Sequence, residues 1–184
     1  MIALAPPLFE ITNVIDTVEI ETPLGIMIAG GVEDGICLLE FSDRRMLNTE
    51  YKQLSQHFSA KFLKGENPHF DLLRKELKEY FAHKLKDFTV PLNAPGTVFQ
   101  KAVWKELRNI PFGKTRSYKE QSEALGNPGA IRAVATANGA NRISIIIPCH
   151  RVIGSDGSLT GYGGGLWRKR WLIEHEGNLP KLFE

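Results

Sequence analysis

The chain of 184 residues is poor in cysteine and has no long hydrophobic run. Its two cysteines cannot provide the disulfide framework on which small secreted domains depend. The longest apolar candidate, Ile143–Pro148, falls far short of the roughly 20 residues that span a bilayer. Met1–Glu10 has no basic region of the kind that opens a signal peptide. These absences predict a reduced, soluble, cytoplasmic protein with no membrane partner.

The small net charge of +2 conceals an uneven distribution. Residues 1–94 carry 10 basic and 14 acidic side chains, whereas residues 95–184 carry 13 basic and 7 acidic. The C-terminal half is therefore the part expected to meet a polyanion such as nucleic acid. A modest excess of this kind is also common on ordinary solvated surfaces, so charge alone does not decide between the two.

The first half of the sequence predicts a small antiparallel α+β domain. Alternating apolar residues and turn signals predict strands within Val14–Phe41. A helical period follows in Leu47–Phe62 and again in Phe70–His83. The second helix carries one apolar stripe, made of Leu73, Leu77, Tyr80 and Phe81. Phe88–Leu92 is predicted to be one more strand or an extended connector.

Four small or turn-prone residues, Asn93–Gly96, mark a boundary between predicted domains at residues 1–93 and 94–184. Beyond the boundary the pattern becomes helical. The predicted helices are Phe99–Ile110 after the capping box Thr97-x-x-Gln100, a short helix from the capping box Ser117-x-x-Glu120 to about Leu125, one from Pro128 to about Gly139, and Leu166–His175 before Gly177.

The second and third of these helices have the spacing of a helix-turn-helix, with a tight turn at Gly126. An ordinary helical hairpin has the same spacing and stays open as an alternative. The third helix carries a single charge, Arg132, among small residues that would let it approach a surface closely: Ala130, Ala133, Ala135 and Ala137. The last helix is basic at Arg168–Arg170.

The sharpest chemical feature is the segment Pro148–Arg151, which reads Pro-Cys-His-Arg. The apolar residues Ile145–Ile147 predict a buried strand that ends at Pro148, because proline lacks a backbone donor. A thiol beside a histidine and a basic group can be shifted toward the nucleophilic thiolate, and we expect His150 to reach Cys149 through water. A buried structural cysteine beside a capping histidine is the alternative.

The other cysteine, Cys37, lies in the apolar strand Ile36–Leu39 and is predicted to be a core residue. There is no paired C-x-x-C, and the five histidines show no ligand spacing with either cysteine. No metal site and no cofactor are therefore predicted.

Three segments resemble the O6-alkylguanine-DNA alkyltransferase family: Pro148–Val152, Thr160–Gly165 and Trp171–Gly177. The resemblance is strong over residues 97–177 and mainly architectural over residues 14–93. It implies an α+β protein with a small ribonuclease H-like N-terminal domain, which would have a structural role. A mostly helical, winged-helix-like C-terminal domain would bind DNA through its helix-turn-helix and hold the alkyl acceptor.

The family flips a damaged guanine out of double-stranded DNA and transfers its O6-alkyl group, once per molecule, to a cysteine. The resemblance implies that Cys149 is the acceptor, that His150 takes its proton through water and that Glu176 orients His150. Tyr118 matches the tyrosine that supplies a proton or hydrogen bond to the leaving guanine. Asn141 matches the asparagine that braces the DNA-binding helix against the cysteine segment. O4-alkylthymine stays open as a second substrate.

The same resemblance implies docking in the minor groove, with Arg132 entering the duplex where the base leaves. Tyr162 and Gly163 would form the mobile wall of the base pocket. The other residues implied to contact DNA are Ala130, Ala133, Arg151 and Ser117.

The sequence also departs from the family pattern. The zinc of some relatives' N-terminal domains needs cysteine and histidine ligands, and the only cysteine in this half is Cys37, so no zinc is expected. Asn141–Ser144 lacks prolines that some relatives have, and Gly163 stands where others carry serine, which together predict a roomier pocket. No long heptad or exposed apolar stripe suggests self-association, so a monomer is expected.

Two other kinds of function compete with DNA alkyl transfer. A non-catalytic reader of alkylated DNA would have another residue in place of Cys149. A helix-turn-helix transcription factor would not need the Pro-Cys-His-Arg segment, and a cysteine hydrolase would need an oxyanion hole that the sequence does not locate.

Overall fold

The structure, a computed structural model, describes residues 13–177. Its first half contains a four-stranded sheet in the order β3-β2-β1-β4. The strands are β1 (Asn13–Thr22), β2 (Gly25–Val32), β3 (Gly35–Phe41) and β4 (Ala60–Lys64). β1, β2 and β3 pair antiparallel as predicted, but β4 pairs parallel with β1, so the sheet is mixed rather than antiparallel. The expectation for Met1–Glu10 concerns residues outside the described range.

Between residue 13 and the boundary the first half also has two helices, α1 (Leu47–Phe58) and α2 (Phe70–Phe81). The predicted helix Leu47–Phe62 is too long, because Ser59 adopts a left-handed conformation with φ 49° and ends α1. The next residues begin β4, where the exposed Lys61 separates the buried Ala60 from the half-buried Phe62. This alternation of a strand is too short to stand out beside the preceding helical period.

The predicted stripe of α2 is confirmed, since Leu73, Leu77 and Tyr80 are buried and Phe81 is packed against them. The segment Phe88–Leu92 is the predicted extended connector rather than a full strand, with one parallel bridge between Ile36 and Leu92. The chain then passes through residues 93–96 into the second half.

The second half, as far as residue 177, contains four α-helices, and their starts follow the predicted signals closely. They are α3 (Val98–Arg108), α4 (Tyr118–Ala124), α5 (Ile131–Gly139) and α6 (Leu166–His175). Both predicted capping boxes are confirmed, at Thr97 for α3 and at Ser117 for α4. A single 3₁₀ turn, Pro128–Ala130, precedes α5, and Gly177 follows α6 with φ 89°.

Helices α4 and α5 pack against each other and against α3, in the arrangement of a helix-turn-helix. Val134 and Ala137 point into the core, while Ala133 and Ala135 are exposed. Ala137 is therefore not one of the small surface residues that the sequence predicted. Its carbonyl accepts a hydrogen bond of 2.8 Å from Nε1 of Trp104.

The predicted strand at Ile145–Ile147 is wrong. The segment is a turn in which Ile145 has φ 72°, and it joins the sheet only through a bridge between Leu39 and Ile143. Its apolar side chains are buried because the turn lies against the sheet, so burial without pairing explains the apolar run. After the turn, β6 (Val152–Ile153) pairs parallel with β5 (Arg116–Ser117), a pairing that the sequence does not predict.

One hydrophobic cluster crosses the boundary between the halves. It includes Met27 and Phe41 of the sheet, Tyr80 of α2, Trp104 of α3 and Leu172 of α6. The cysteine segment is thereby packed between the sheet and the helices. Within residues 13–177 no helix is both long and apolar enough to cross a membrane.

Candidate active site

Cys149 lies in the wall of a pocket of about 540 Å³ that residues of both halves line. The pocket brings together five of the predicted catalytic and DNA-contacting residues: Tyr118, Arg132, Cys149, Tyr162 and Gly163. The first half contributes Arg44, Arg45 and Met46, which the sequence did not indicate. The pocket therefore extends from a reactive thiol to the exposed face of α5.

The Cys149 thiol is half-buried at the start of a 3₁₀ turn and is held by Asn141. Nδ2 of Asn141 donates hydrogen bonds to Sγ of Cys149 at 3.3 Å and to the carbonyl of Ile147 at 2.8 Å. Burial raises the pKa of the Cys149 thiol, and the hydrogen bond from Asn141 opposes that rise only in part. The resting thiol is therefore protonated and needs a base before it can attack.

The neighbouring His150 is fully buried and paired with Glu176. Nε2 of His150 lies 2.8 Å from Oε1 of Glu176, and Tyr80 donates its hydroxyl hydrogen bond to the same oxygen at 2.8 Å. Burial would raise the pKa of Glu176, but the charges and hydrogen bonds of His150 and Arg151 outweigh it and hold that pKa well below its ordinary value. The carboxylate is therefore ionised at neutral pH.

An ionised carboxylate can only accept hydrogen bonds, so Nε2 of His150 carries the proton. The other ring nitrogen, Nδ1, is buried and has no hydrogen-bond partner within residues 13–177. Burial also lowers the pKa of His150, although Glu176 opposes this effect. His150 is thus a neutral imidazole with one free basic nitrogen beside the acceptor residue.

Arg151, predicted to contact DNA, instead points into the protein. Its Nε donates to Glu176 Oε2 at 2.8 Å, its Nη2 donates to Oε1 at 3.0 Å, and its Nη1 donates to the carbonyl of Ile110 at 2.6 Å. Only 6% of the residue is exposed. We therefore assign Arg151 to holding Glu176 rather than to a DNA surface.

Tyr118 lines the pocket, and Lys169 holds the backbone of two other lining residues, Thr160 and Gly161. The Tyr118 hydroxyl donates to the carbonyl of Thr160 at 3.1 Å. Nζ of Lys169 donates to the same carbonyl at 2.7 Å and to that of Gly161 at 3.3 Å. Burial lowers the pKa of Lys169 to about 8.

Two of the three residues in the basic run at residues 168–170 are therefore buried rather than exposed on the last helix. Lys169 is buried beneath the pocket wall, and Arg168 forms an ion pair with Asp43 at 2.8 Å. Only Arg170 of the three is exposed.

Gly163 does not leave empty space in the pocket wall. A Cβ atom at this position would overlap Nη1 of Arg44 and lie 2.5 Å from its Cζ. The guanidinium of Arg44 thus occupies the room that the sequence assigned to a larger pocket.

The open end of the pocket is formed by α5. Arg132 and Ala133 are exposed, Ala130 is half-exposed, and the Arg132 side chain has no ion-pair or hydrogen-bond partner among residues 13–177. Ser117 is different, because its side chain is buried and bonded to Glu120 in the capping box of α4. Its placement indicates a role in starting α4.

The interpretation of Cys37 as a core residue is confirmed. The residue is fully buried, its Sγ donates to the carbonyl of Gly30 at 3.5 Å, and burial raises its pKa to about 12. Within the described range no group of three or more histidine, cysteine or acidic side chains is placed to hold a metal ion.

Sequence reasoning missed Arg44 and the structural role of Lys169. One signal was available, since Glu40 stands in the strand Gly35–Phe41, all of which is buried, and a buried carboxylate needs a cation nearby. Arg44 follows four residues later and pairs with Glu40. No local pattern marks Lys169 as buried.

Comparison with known proteins identifies two matched domain families. The family described as "6-O-methylguanine DNA methyltransferase, DNA binding domain" matches residues 98–178. The family described as "6-O-methylguanine DNA methyltransferase, ribonuclease-like domain" matches residues 19–94. Together the two matches cover most of the chain.

Similar whole proteins carry a common name. The Mycobacterium tuberculosis methylated-DNA–protein-cysteine methyltransferase is 45% identical over 157 residues, which are 85% of this chain and 89% of that protein. The Methanosarcina barkeri protein of the same name is 43% identical over 159 residues, covering 86% and 95% of the two chains. The crystal structure of Mycobacterium tuberculosis OGT in complex with DNA has a TM-score of 0.74 and 40% identity, covering 91% of this chain and 96% of that one.

Proposed function

The chain belongs to the methylated-DNA–protein-cysteine methyltransferase family, and on this basis we propose that it repairs O6-alkylguanine in double-stranded DNA by taking the alkyl group onto Cys149. The observation that carries the proposal is the position of this thiol. It lies in the wall of a pocket, beside the neutral histidine of a buried His150–Glu176 pair.

The proposed reaction begins with proton transfer from the Cys149 thiol, through water, to Nδ1 of His150. Glu176 stabilises the imidazolium that forms, as the orienting carboxylate of a nucleophile–base pair does. The sulfur then attacks the alkyl carbon. A sulfur–carbon bond forms as the carbon–O6 bond breaks, and the electron pair stays with the guanine.

Tyr118 is the proposed donor to the guanine anion that leaves. Its hydroxyl lies in the pocket wall and is held toward the carbonyl of Thr160. A proton or hydrogen bond from this hydroxyl would stabilise the leaving group. The thioether on Cys149 is stable, so each molecule would react once.

The proposed DNA surface is the exposed face of α5. Ala133 and Ala135 present little bulk there, which suits a narrow minor groove and offers few groups to read sequence. Arg132 stands at the pocket mouth, where it would fill the space that a flipped base leaves. The complex of the Mycobacterium tuberculosis relative with DNA supports this partner.

The two halves of the chain would have different roles. Residues 1–93 would form a ribonuclease-like domain that supports the pocket, and residues 94–184 a winged-helix-like domain that binds DNA and carries the acceptor. We propose that the protein acts as a monomer, in the cytoplasm and without a metal or cofactor.

Mass spectrometry after mixing with a duplex that contains O6-methylguanine tests the proposal. We expect a gain of one methyl group, mapped to the peptide of Cys149, and no gain in Cys149→Ala, which should still bind DNA. Cys37→Ala is the matched control and should react normally. A methyl group on Cys37 would refute the assignment, and binding without any transfer by the native protein would favour a lesion reader.

A further inference from the structure

Arg44 is a buried arginine from the first half of the chain that borders the pocket of Cys149. Two carboxylates of the same half hold it. Nη1 lies 3.1 Å from Oε1 of Glu40, and Nη2 lies 2.8 Å from Oε1 of Glu50. The catalytic steps described above make no use of this cluster.

The same guanidinium also reaches the second half. Nη2 of Arg44 donates to the carbonyl of Gly139 at 3.0 Å and, more weakly, to that of Asn141 at 3.4 Å. Gly139 ends α5, the helix that carries Arg132, and the side chain of Asn141 donates to Sγ of Cys149. One side chain of the first half is thus linked through a single residue to the acceptor sulfur.

Gly163 shows that the position of Arg44 is built into the pocket wall. Its backbone does not require glycine, because its φ is outside the left-handed range. A Cβ atom there would nevertheless overlap Nη1 of Arg44. Arg44 has little freedom to withdraw, because two carboxylates and two carbonyls hold it.

We propose that Arg44 is a positioning residue of the transfer site, which orients Asn141 and places a positive charge beside Cys149, and that residue 163 is glycine in order to admit it. The inference rests on the proposed function and gives the first half of the chain a direct part in it. Arg44 thus affects the reactivity of Cys149 indirectly. It does so through its hydrogen bond to Asn141 and through the electrostatic field of its charge at the sulfur.

The charged groups around the sulfur indicate the direction of the effect. Glu40 raises the pKa of the Cys149 thiol, whereas Lys169 and Arg44 lower it, after the larger rise that burial causes. Arg44 itself faces Glu40 and Glu50, with Arg142 also close enough to interact with Glu50. Removing the Arg44 charge therefore takes away one positive charge that favours the thiolate.

The rate at which iodoacetamide alkylates Cys149, followed across pH and assigned by peptide mass, tests the proposal without DNA. In Arg44→Met the pH midpoint should move upward, and a shift of one pKa unit would make the reaction about tenfold slower at pH 7.5. Arg44→Lys keeps the charge and should recover part of the rate. Arg74→Met is the matched control, since Arg74 pairs with Glu66 and Asp71 on the same half but does not line the pocket.

Gly163→Ala is the second variant, because it disturbs Arg44 without changing any charge and does not depend on the folding of Arg44→Met. We expect it to move the pH midpoint in the same direction. In the double variant Gly163→Ala/Arg44→Met the alanine should cause no further shift of the pH midpoint, since the arginine side chain that it displaces is no longer present.

Two outcomes would overturn the proposal. One is a native pH profile in Arg44→Met. The other is a shift of the pH midpoint by Gly163→Ala that is equally large in the native protein and in Arg44→Met. Failure of the proposed function is separate. It would show as absence of methyl transfer from an O6-methylguanine duplex to the native protein, while iodoacetamide still reports on the thiol.

Discussion

The basic residues at the two ends of the pocket differ in burial and in bonding. The inner end is the surroundings of Cys149, and the outer end is the exposed face of α5. At the inner end Arg151, Lys169 and Arg44 are buried and bonded to carboxylates or carbonyls. At the outer end Arg132 is exposed and has no partner among the described residues. The positive excess of the C-terminal half therefore overstates the charge available to DNA, because Arg151 and Lys169 are directed into the protein.

The inner end contains two buried glutamates that differ in protonation state. Glu176 receives hydrogen bonds from Arg151, Tyr80 and the backbone of Gly113, and its pKa is held low. Glu40 shares Arg44 with Glu50, and burial raises its pKa to about 8. The number of donors for each carboxylate, rather than burial alone, separates the charged residue from the neutral one.

The largest effect is expected from Glu176→Gln. The amide cannot stabilise protonated His150, so the rate of alkyl transfer should fall by about 100-fold or more, the usual contribution of a general base. Arg151 would also lose its anionic partner, which costs about 3 to 5 kcal/mol of stability for a buried pair. Single-turnover rates and urea unfolding measure the two effects.

Glu174→Gln is the matched control on α6, because Glu174 is half-exposed and takes no part in the His150 contact. The stability advantage of the native protein over Glu176→Gln should be full above about pH 4.5, the ordinary pKa of glutamate. It should shrink as the pH falls below that value, because the native carboxylate then takes up protons only on unfolding. An advantage that persists unchanged at pH 3 would contradict the low pKa.

Arg132→Ala tests the outer end of the pocket. It should slow the reaction with duplex DNA without changing the chemistry at the inner end. The extrahelical base would lose the side chain that replaces it, and unstacking costs on the order of a few kcal/mol, so repair of duplex DNA should slow by roughly 10- to 100-fold. Reaction with free O6-benzylguanine, which needs no flipping, should be nearly unchanged. Single-turnover rates on both substrates provide the measurement.

Arg132→Lys distinguishes base replacement from simple phosphate contact. If Arg132 only contacts phosphate, the lysine variant will react almost normally and the defect of the alanine variant will vanish at saturating DNA. Equal losses on duplex and free base would rule out a role specific to flipping.

The sequence predicts those features of the fold and of the site that depend on residues only a few positions apart in the chain. The capping boxes at Thr97 and Ser117 are read from residues three positions away, and both are present. Cys149 and His150 are adjacent, so their chemistry could be inferred directly. Glu176 lies 26 residues from His150, and only the family resemblance pointed to it.

Contacts between the halves could not be predicted in the same way. Arg44 meets Gly139 across 95 residues, and nothing in either local sequence records that contact. The turn at Ile145 was mistaken for a strand because burial against the sheet produces the same apolar run as pairing within it. The position of Lys169 likewise depends on the carbonyls around it rather than on its basic neighbours.

Glu40→Gln sharpens the contrast between the two glutamates. Because the folded pKa of Glu40 is about 8, its carboxyl stays protonated in the native protein while it ionises in the unfolded chain, so the native protein loses stability as the pH rises from about 4.5 toward 8. The glutamine variant has no such proton linkage, so its stability should rise relative to that of the native protein over that interval, by on the order of 3 to 4 kcal/mol. Urea unfolding at pH 5 and pH 8 measures the change. Glu33→Gln, at an exposed turn, is the control, and a constant difference between the two pH values would show that Glu40 stays ionised.

The smallest effect concerns the salt dependence of DNA binding. With about 3 to 5 phosphates neutralised, the plot of log affinity against log salt should have a slope of roughly −3 to −5, with little preference among undamaged sequences. Arg45 is exposed at the pocket mouth although it belongs to the acidic half of the chain. Arg45→Gln should therefore reduce the slope by about one, whereas Arg74→Gln on α2 should leave it unchanged. Equal slopes for the two variants would show that the average charge of each half, rather than position around the pocket, governs binding.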